Sequence, residues 1–177
     1  MRILTICLAI AMVVLMGCNS TPKTPDVSAQ IRTALDQAGL KNVSQSQDRD
    51  TGVITLKGNV PVEADKARAE SIARSYAGSQ VVANQIAVLP PGSEGEAKKI
   101  YSALDSGIES NLEAALIAQR YKDFVKYSVK NGVVTLTGSV DSQEKRAQVQ
   151  QIAAAVPNVQ QVVNEIQVKN QKASSTP

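Results

Sequence analysis

The chain has 177 residues, of which 43% are hydrophobic, 20% charged and 3% aromatic; 19 basic against 16 acidic side chains give a formal charge of +3. That apolar fraction and near-neutral charge exclude a disordered chain, and the absence of His removes His-based metal sites, general bases and triads. One Phe, four Tyr and no Trp leave little surface for stacking bases, which argues against a single-stranded nucleic-acid binder.

Arg2 supplies a positive start, and residues 3–16 form an apolar run interrupted only by Thr5. The run is shorter than the ~20 apolar residues that cross a bilayer and fits the core of a secretory signal peptide. It ends at Leu15-Met16-Gly17-Cys18, which resembles a bacterial lipobox. The resemblance implies that residues 1–17 are a lipoprotein signal peptide, removed by cleavage before Cys18. It also implies a diacylglyceryl group on the Cys18 thiol and an acylated new amine. Cys7 is then discarded and Cys18 capped, leaving no thiol for a disulfide, a metal or nucleophilic catalysis. More than one acyl chain makes a stable anchor. Residues 18–25 read as the lipidated tether, reaching at most ~25–30 Å. Asn19 after the Cys, by the same resemblance, implies export to the outer membrane, facing the periplasm.

The rest of the chain is an internal duplication. At an offset of 80, residues 52–60 (GVITLKGNV) fall on 132–140 (GVVTLTGSV), and Ile72, Ala73, Val82, Asn84, Ile86 and Val88 fall on identical residues. Over 52–88 there are 14 identities in 37 positions without a gap, the mark of a real repeat. Each copy reads as helix, hairpin, helix, strand. In the first, Val27, Ile31, Ala34, Leu35 and Ala38 recur at helical spacing, opened by Thr24-Pro25 and closed by Gly39. A hairpin follows, turning at Asp50-Thr51-Gly52; Asp48-Arg49-Asp50 echoes a calcium loop but lacks its closing Glu and reads as a turn. Val62, Ala69, Ile72, Ala73 and Tyr76 mark the inner face of the second helix, and residues 81–89 the closing strand.

Leu89-Pro90-Pro91-Gly92 opens a linker over 90–104. Ser93 with Glu96 reads as a capping box for a short helix with Ala97, Ile100, Tyr101 and Leu104 on one face, expected to pack between the copies or onto the second. Ser106 with Glu109 reads as another box, placing a new helix start near Gly107, with Ile108, Leu112, Ala115 and Leu116 as its stripe. Asn131-Gly132 is a two-residue hairpin signal. Asp141 with Glu144 opens the last helix, and residues 170–177 read as a polar tail. Right-handed crossovers put the helices on one face of each sheet. Gly52 and Gly132 serve turns, whereas Gly58 and Gly138 occupy inward strand positions where a missing side chain lets a helix approach. Asn84 and Asn164 face inward on the closing strands and require hydrogen bonds to backbone.

The glycine-framed hairpin, the Ile-Ala pair and the Asn-containing last strand resemble the BON domain family, over residues 26–89 and 105–169. Two copies behind a lipobox resemble dual-BON lipoproteins of the bacterial outer membrane. The resemblance implies an α+β fold of two tandem αββαβ domains, each a three-stranded mixed sheet with helices on one face. It further implies phospholipid or envelope binding and a role in membrane integrity under stress. The helix opening at Asp105 offers Gly107, Glu109, Asn111 and Glu113, with no aromatic and no basic residue, which argues against that face as the lipid contact.

Segments 26–89 and 105–170 each hold seven basic and seven acidic residues, so neither has a net field for duplex nucleic acid. Arg120, Lys122, Lys126 and Lys130 do cluster before and along one strand, and they are the candidate contacts for an anionic lipid headgroup or a protein partner. Lys126, Ser128 and Lys130 share the sheet's outer face with Thr135 and Thr137. Gly92-Ser93-Glu94-Gly95 matches a phosphate-clamping GxxG, but Glu96 beside it repels phosphate. No phosphate loop, activated nucleophile, carboxylate dyad, metal set or cofactor motif stands out. The expectation is a non-enzymatic, lipid-anchored protein of the outer membrane that binds phospholipid or envelope components. A structural adaptor or chaperone-like binder of envelope proteins is the alternative.

Overall fold

The computed structural model describes residues 23–169. The signal peptide, Cys18, most of the tether and the polar tail lie outside the described residues. The first copy runs α1 (Ser28–Gln37), β1 (Val43–Asp48), β2 (Val53–Val60), α2 (Glu63–Ala77) and β3 (Val81–Val88). The second runs α3 (Glu94–Ala118), β4 (Val125–Lys130), β5 (Val133–Val140), α4 (Gln143–Ala154), β6 (Gln161–Asn164) and β7 (Gln167–Val168). In each copy the hairpin is antiparallel and the crossover strand returns parallel to its second strand, giving the orders β1-β2-β3 and β4-β5-β6. The second closing strand breaks at Glu165 and resumes as β7 on β5.

Period-two alternation places Ile54, Leu56 and Val60 under α1 and α2, whose Ile31, Leu35, Ala69, Ala73 and Ala77 complete the first core. The offset equivalents Val134, Leu136 and Val140 meet Ile108, Leu112, Leu116, Val149 and Ala153 in a separate second core. The short hairpin matches the expected turn: Asn131 and Gly132 have φ of +49° and +77°. The longer first hairpin is held by the Asp48 carboxylate, which accepts the N–H groups of Asp50 and Thr51. Those bonds keep its pKa below the usual value.

α1 ends as Gly39 predicts. Gly39 has φ +79° and its N–H donates to Asp36 O, while the Leu40 N–H donates to Leu35 O. α3 closes by the same pair of bonds, Arg120 N–H to Ile117 O and Tyr121 N–H to Leu116 O, with Arg120 at φ +59°.

Several expectations are corrected. Val62 and Tyr76 are exposed rather than core, because Lys66, Ala69, Ala73 and Ala77 set the phase of α2. The helix expected to begin near Gly107 does not begin there: α3 passes through Ser106 and Gly107 unbroken for 25 residues. Its stripe Ile100, Leu104, Ile108, Leu112, Leu116 keeps i, i+4 spacing across the supposed boundary. Ser93 flanks α3 without a side-chain cap bond. At α4 the capping side chain belongs to Ser142, which accepts the Lys145 N–H, while Asp141 pairs with the Lys145 ammonium.

Gly58 and Gly138 do not admit a helix. Both hold φ near +120°, and a Cβ on them would collide with the backbone carbonyls of Asn42 and Phe124 respectively. The close neighbour is therefore the chain entering the partner strand.

Candidate functional site

The four candidate basic residues do not form one site. Arg120 sits in the turn after α3 and borders a small hollow with Phe124, Val140, Asp141 and Lys145. The Lys122 ammonium pairs with Glu113 at 2.6 Å and lies 4.9 Å from the centre of the Tyr127 ring. The Glu113 bond raises the Lys122 pKa and lowers that of Glu113. Lys126 stands exposed on β4. Lys130 faces a different cleft, described below. Beside Arg120 stand two apolar side chains that the basic cluster did not foreshadow: Ile117 and Phe124, each 57% exposed.

The outer sheet faces are not simply solvated. Val53 and Ala83 of the first sheet bury against Val133 and Val163 of the second, the same two positions of each copy. Polar bonds surround this contact. The Gln161 side-chain amide donates to Val82 O (2.7 Å) and accepts the Asn84 N–H (3.2 Å), so it caps the free edge of β3. The Asn131 amide donates to Gln85 O at 2.7 Å. Lys66 donates to Gln160 Oε1 at 3.4 Å. Tyr101 Oη accepts the Val88 N–H at 3.2 Å, so the first turns of α3 are tied to the first copy. Ile100 and Leu104, expected in that contact, remain 60% and 39% exposed.

Between the first sheet's outer face and α3 lies a groove of about 770 Å³. Lys57, Lys98 and Lys130 reach it from three elements, facing Tyr101, Asp105 and Glu109. Asp105 is committed to structure: its carboxylate accepts the N–H groups of Asn131 and Gly132, both at 2.9 Å. Among the described residues the ion pairs engage none of the three lysines. Among the same residues no group of three His, Cys, Asp or Glu could hold a metal ion.

The sequence profile of the BON domain matches residues 24–90 and 104–170. The chain belongs to the BON domain family. Osmotically-inducible protein Y of Escherichia coli is 32% identical over 146 residues, which cover 81% of this chain and 71% of that protein. An uncharacterized protein in the gshII 5' region of Anaplasma centrale is 31% identical over 123 residues, covering 68% of this chain and 79% of the other. Two structures of CdsD, a structural protein of the type III secretion system of Chlamydia trachomatis, each cover 81% of this chain. They show 17% and 15% identity, cover 66% and 92% of the CdsD chains, and have TM-scores of 0.34 and 0.36.

Both BON units use their closing-strand Asn in the same way. Asn84 donates to Lys66 O (3.4 Å) and Glu70 Oε2 (2.9 Å) and accepts the Ile86 N–H. Asn164 donates to Arg146 O (3.2 Å) and Gln150 Oε1 (3.1 Å) and accepts the Ile166 N–H. Each amide ties a closing strand to the crossover helix. At Glu70, burial raises the carboxyl pKa, but bonds from Asn84 and Arg74, with the Arg74 and Lys66 charges, bring it below the usual value.

Sequence reasoning missed Ile117, Phe124 and Gln161, whereas Tyr101 is on the helix face that the sequence expects to pack against a copy, and it does so through Val88. For Gln161 a signal existed: the offset aligns it with Val81, an amide against a hydrocarbon inside a well-matched repeat. For Phe124 the signal was its being the one Phe, placed between Arg120 and Lys126.

Proposed function

We propose that this BON-domain protein is a lipid-anchored envelope protein that rests the α3–β4 turn on an anionic phospholipid surface. The observation that carries this reading is the exposed pair Ile117 and Phe124 around Arg120. Apolar side chains enter the acyl boundary while cations meet the headgroups. Lys122 and Lys145 are each paired with a carboxylate, so Arg120 and Lys126 on the adjoining strand, less the exposed Asp123 in the turn, leave a net charge of about one positive unit there. Each Lys or Arg near an anionic leaflet is worth ~1 kcal/mol. The lipobox Cys18 and the short tether hold the domains near the membrane. The name of the Escherichia coli relative supports a role under osmotic stress. We place the protein on the periplasmic side of the outer membrane, supporting its integrity without catalysis.

The test is flotation of residues 18–177 with Cys18→Ser on neutral and anionic vesicles at low and moderate salt. Salt-sensitive flotation on anionic vesicles, abolished by Ile117→Ser with Phe124→Ser and weakened by Arg120→Glu, is the expected result. Flotation that survives these changes, or no flotation at all, overturns the turn as the contact.

A second reading, an adaptor or chaperone-like binder of envelope proteins, is favoured by the groove, whose lysines lack ion-pair partners among the described residues. Absence of flotation together with crosslinking of envelope proteins through Lys98 would support it.

A further inference from the structure

Ile100 and Leu104 continue the apolar stripe of α3 beyond the second core, and they stay largely bare. Large apolar side chains exposed side by side mark a contact surface, as scattered ones do not. They belong to a longer face. Ile100, Ala103, Leu104, Gly107, Asn111 and Ala114 recur at helical spacing along one side of α3, and every one is exposed. No charged residue interrupts this face. The buried Ile108, Leu112 and Leu116 lie on the side that meets the second core.

Gly107 stands at the centre of the face. A glycine inside a helix costs ~1 kcal/mol against Ala. An added methyl group there would meet nothing within 4 Å among the described residues, so no contact within the described chain accounts for it. What a bare glycine on an exposed helix permits is the close approach of another helix, toward the ~8 Å end of the interaxial range.

We propose that this face pairs with the same face of a second copy of the chain, the two α3 helices running antiparallel about a two-fold axis at Gly107. Such a contact needs a surface that complements itself, and this one does. With Gly107 on the axis, Ile100 comes level with Ala114 of the second copy, Leu104 with its Ser110 and Ala103 with its Asn111. Each large apolar side chain thus meets a smaller one. At the rim, opposite charges meet: Glu94 comes level with Arg120 of the second copy, and Lys99 lies about half a turn from its Glu113. Residues 170–177 contain no Val, Leu, Ile, Met or aromatic side chain that could cover Ile100 and Leu104 instead. From Ile100 to Ala114 the face is about 21 Å long on a helix about 10 Å wide, short of the ~800 Å² per partner of a standard interface. The pair is therefore weak, with a dissociation constant of about 0.1–1 mM. The inference shares only Arg120 with the membrane reading and does not rest on it.

The test uses residues 18–177 with Cys18→Ser, which leaves no thiol. At about 1 mM, sedimentation equilibrium should show monomer and dimer in exchange. Ile100→Glu with Leu104→Glu should abolish the dimer and leave the Tm in dilute solution unchanged, since both side chains are exposed. Single cysteines read the geometry under mild oxidation at the same concentration. Gly107→Cys should form a disulfide with its own copy. Ala103→Cys and Asn111→Cys would each stand about 12 Å along the axis from their own copies, beyond the ~7 Å that a disulfide spans between Cα atoms. Neither should crosslink alone, and a mixture of the two should give the mixed dimer. A chain that stays monomeric at this concentration, or a dimer that survives both glutamates, overturns the proposal. So does self-crosslinking of Ala103→Cys and Asn111→Cys, which reports a parallel pair.

Discussion

Adding a methyl group to Gly58 drives it into the carbonyl oxygen of Asn42, at a φ of +121° that an L residue rarely adopts. The obstruction is backbone, so no side chain can rotate away. Gly58→Ala is expected to cost about 2–4 kcal/mol, combining strain at positive φ with overpacking, measured as a lower urea midpoint at unchanged m-value. Arg120 presents the opposite case. It holds φ +59° where the first copy has Gly39, and it ends α3 by the same two bonds. Arg120→Gly should raise stability by about 1 kcal/mol while removing a cation from the proposed membrane contact. A stabilised protein that floats less well would separate the structural role of this position from its functional one. Glu165 adds a pH-dependent term. Burial and the Asp48 charge push its carboxyl above the usual range. A raised acid disfavours its charged form in the folded state, so the penalty is present at neutral pH and fades as pH falls through the raised value toward the unfolded one. Glu165→Gln, which copies Gln85 of the first unit, should raise the Tm at pH 7 and leave it unchanged near pH 3. A gain at both pH values would assign the effect to packing instead.

At the scale of elements, α3 is where sequence and structure part. Its 25 residues span about 37 Å at 1.5 Å per residue, with the first turns on one copy and the last on the other. Gly107 sits in its exposed interior, with open space where an added methyl group would stand and no positive φ. Gly107→Ala should therefore stabilise by about 1 kcal/mol through helix propensity alone, read by thermal melting; a loss would mean that the helix bends there in solution. Strands and hairpins were legible because alternation and Gly-containing turns are local signals, repeated twice at a fixed offset. The continuity of α3 was not, because Ser106, Gly107 and Glu109 spell a helix start locally. What overrides them is non-local: Asp105 holds the N–H groups of the distant Asn131-Gly132 turn, and Tyr101 holds Val88. The contact between sheets was equally hidden. Val53, Ala83, Val133 and Val163 occupy the outward phase of their strands, interleaved with Thr, Lys and Gln, and nothing local distinguishes a covered outward valine from a solvated one.

At the scale of the whole molecule, the described residues form two main cores that share no buried residue. Units of this size are marginal when isolated, so the joints between them bear on whether the chain unfolds as one body. Those joints are four small apolar side chains, the Gln161, Asn131 and Lys66 bonds, and the rod of α3. Val163 belongs to the joint and not to the second core, so a change there tests the coupling without emptying a core. Val163→Asp buries a carboxylate against Val53 and Ala83 and should force the sheets apart. The wild-type chain is expected to give one calorimetric transition, and the variant two smaller ones whose summed enthalpy approaches the original. Each transition should then respond to its own core: Leu35→Ala should shift only the first unit's transition, and Leu112→Ala only the second's. If Val163→Asp instead lowers a single transition without splitting it, the α3 rod carries the coupling by itself. The Gln161 amide would then be a device for covering the β3 edge rather than for joining the units, and Gln161→Ala would expose that edge at little cost in cooperativity.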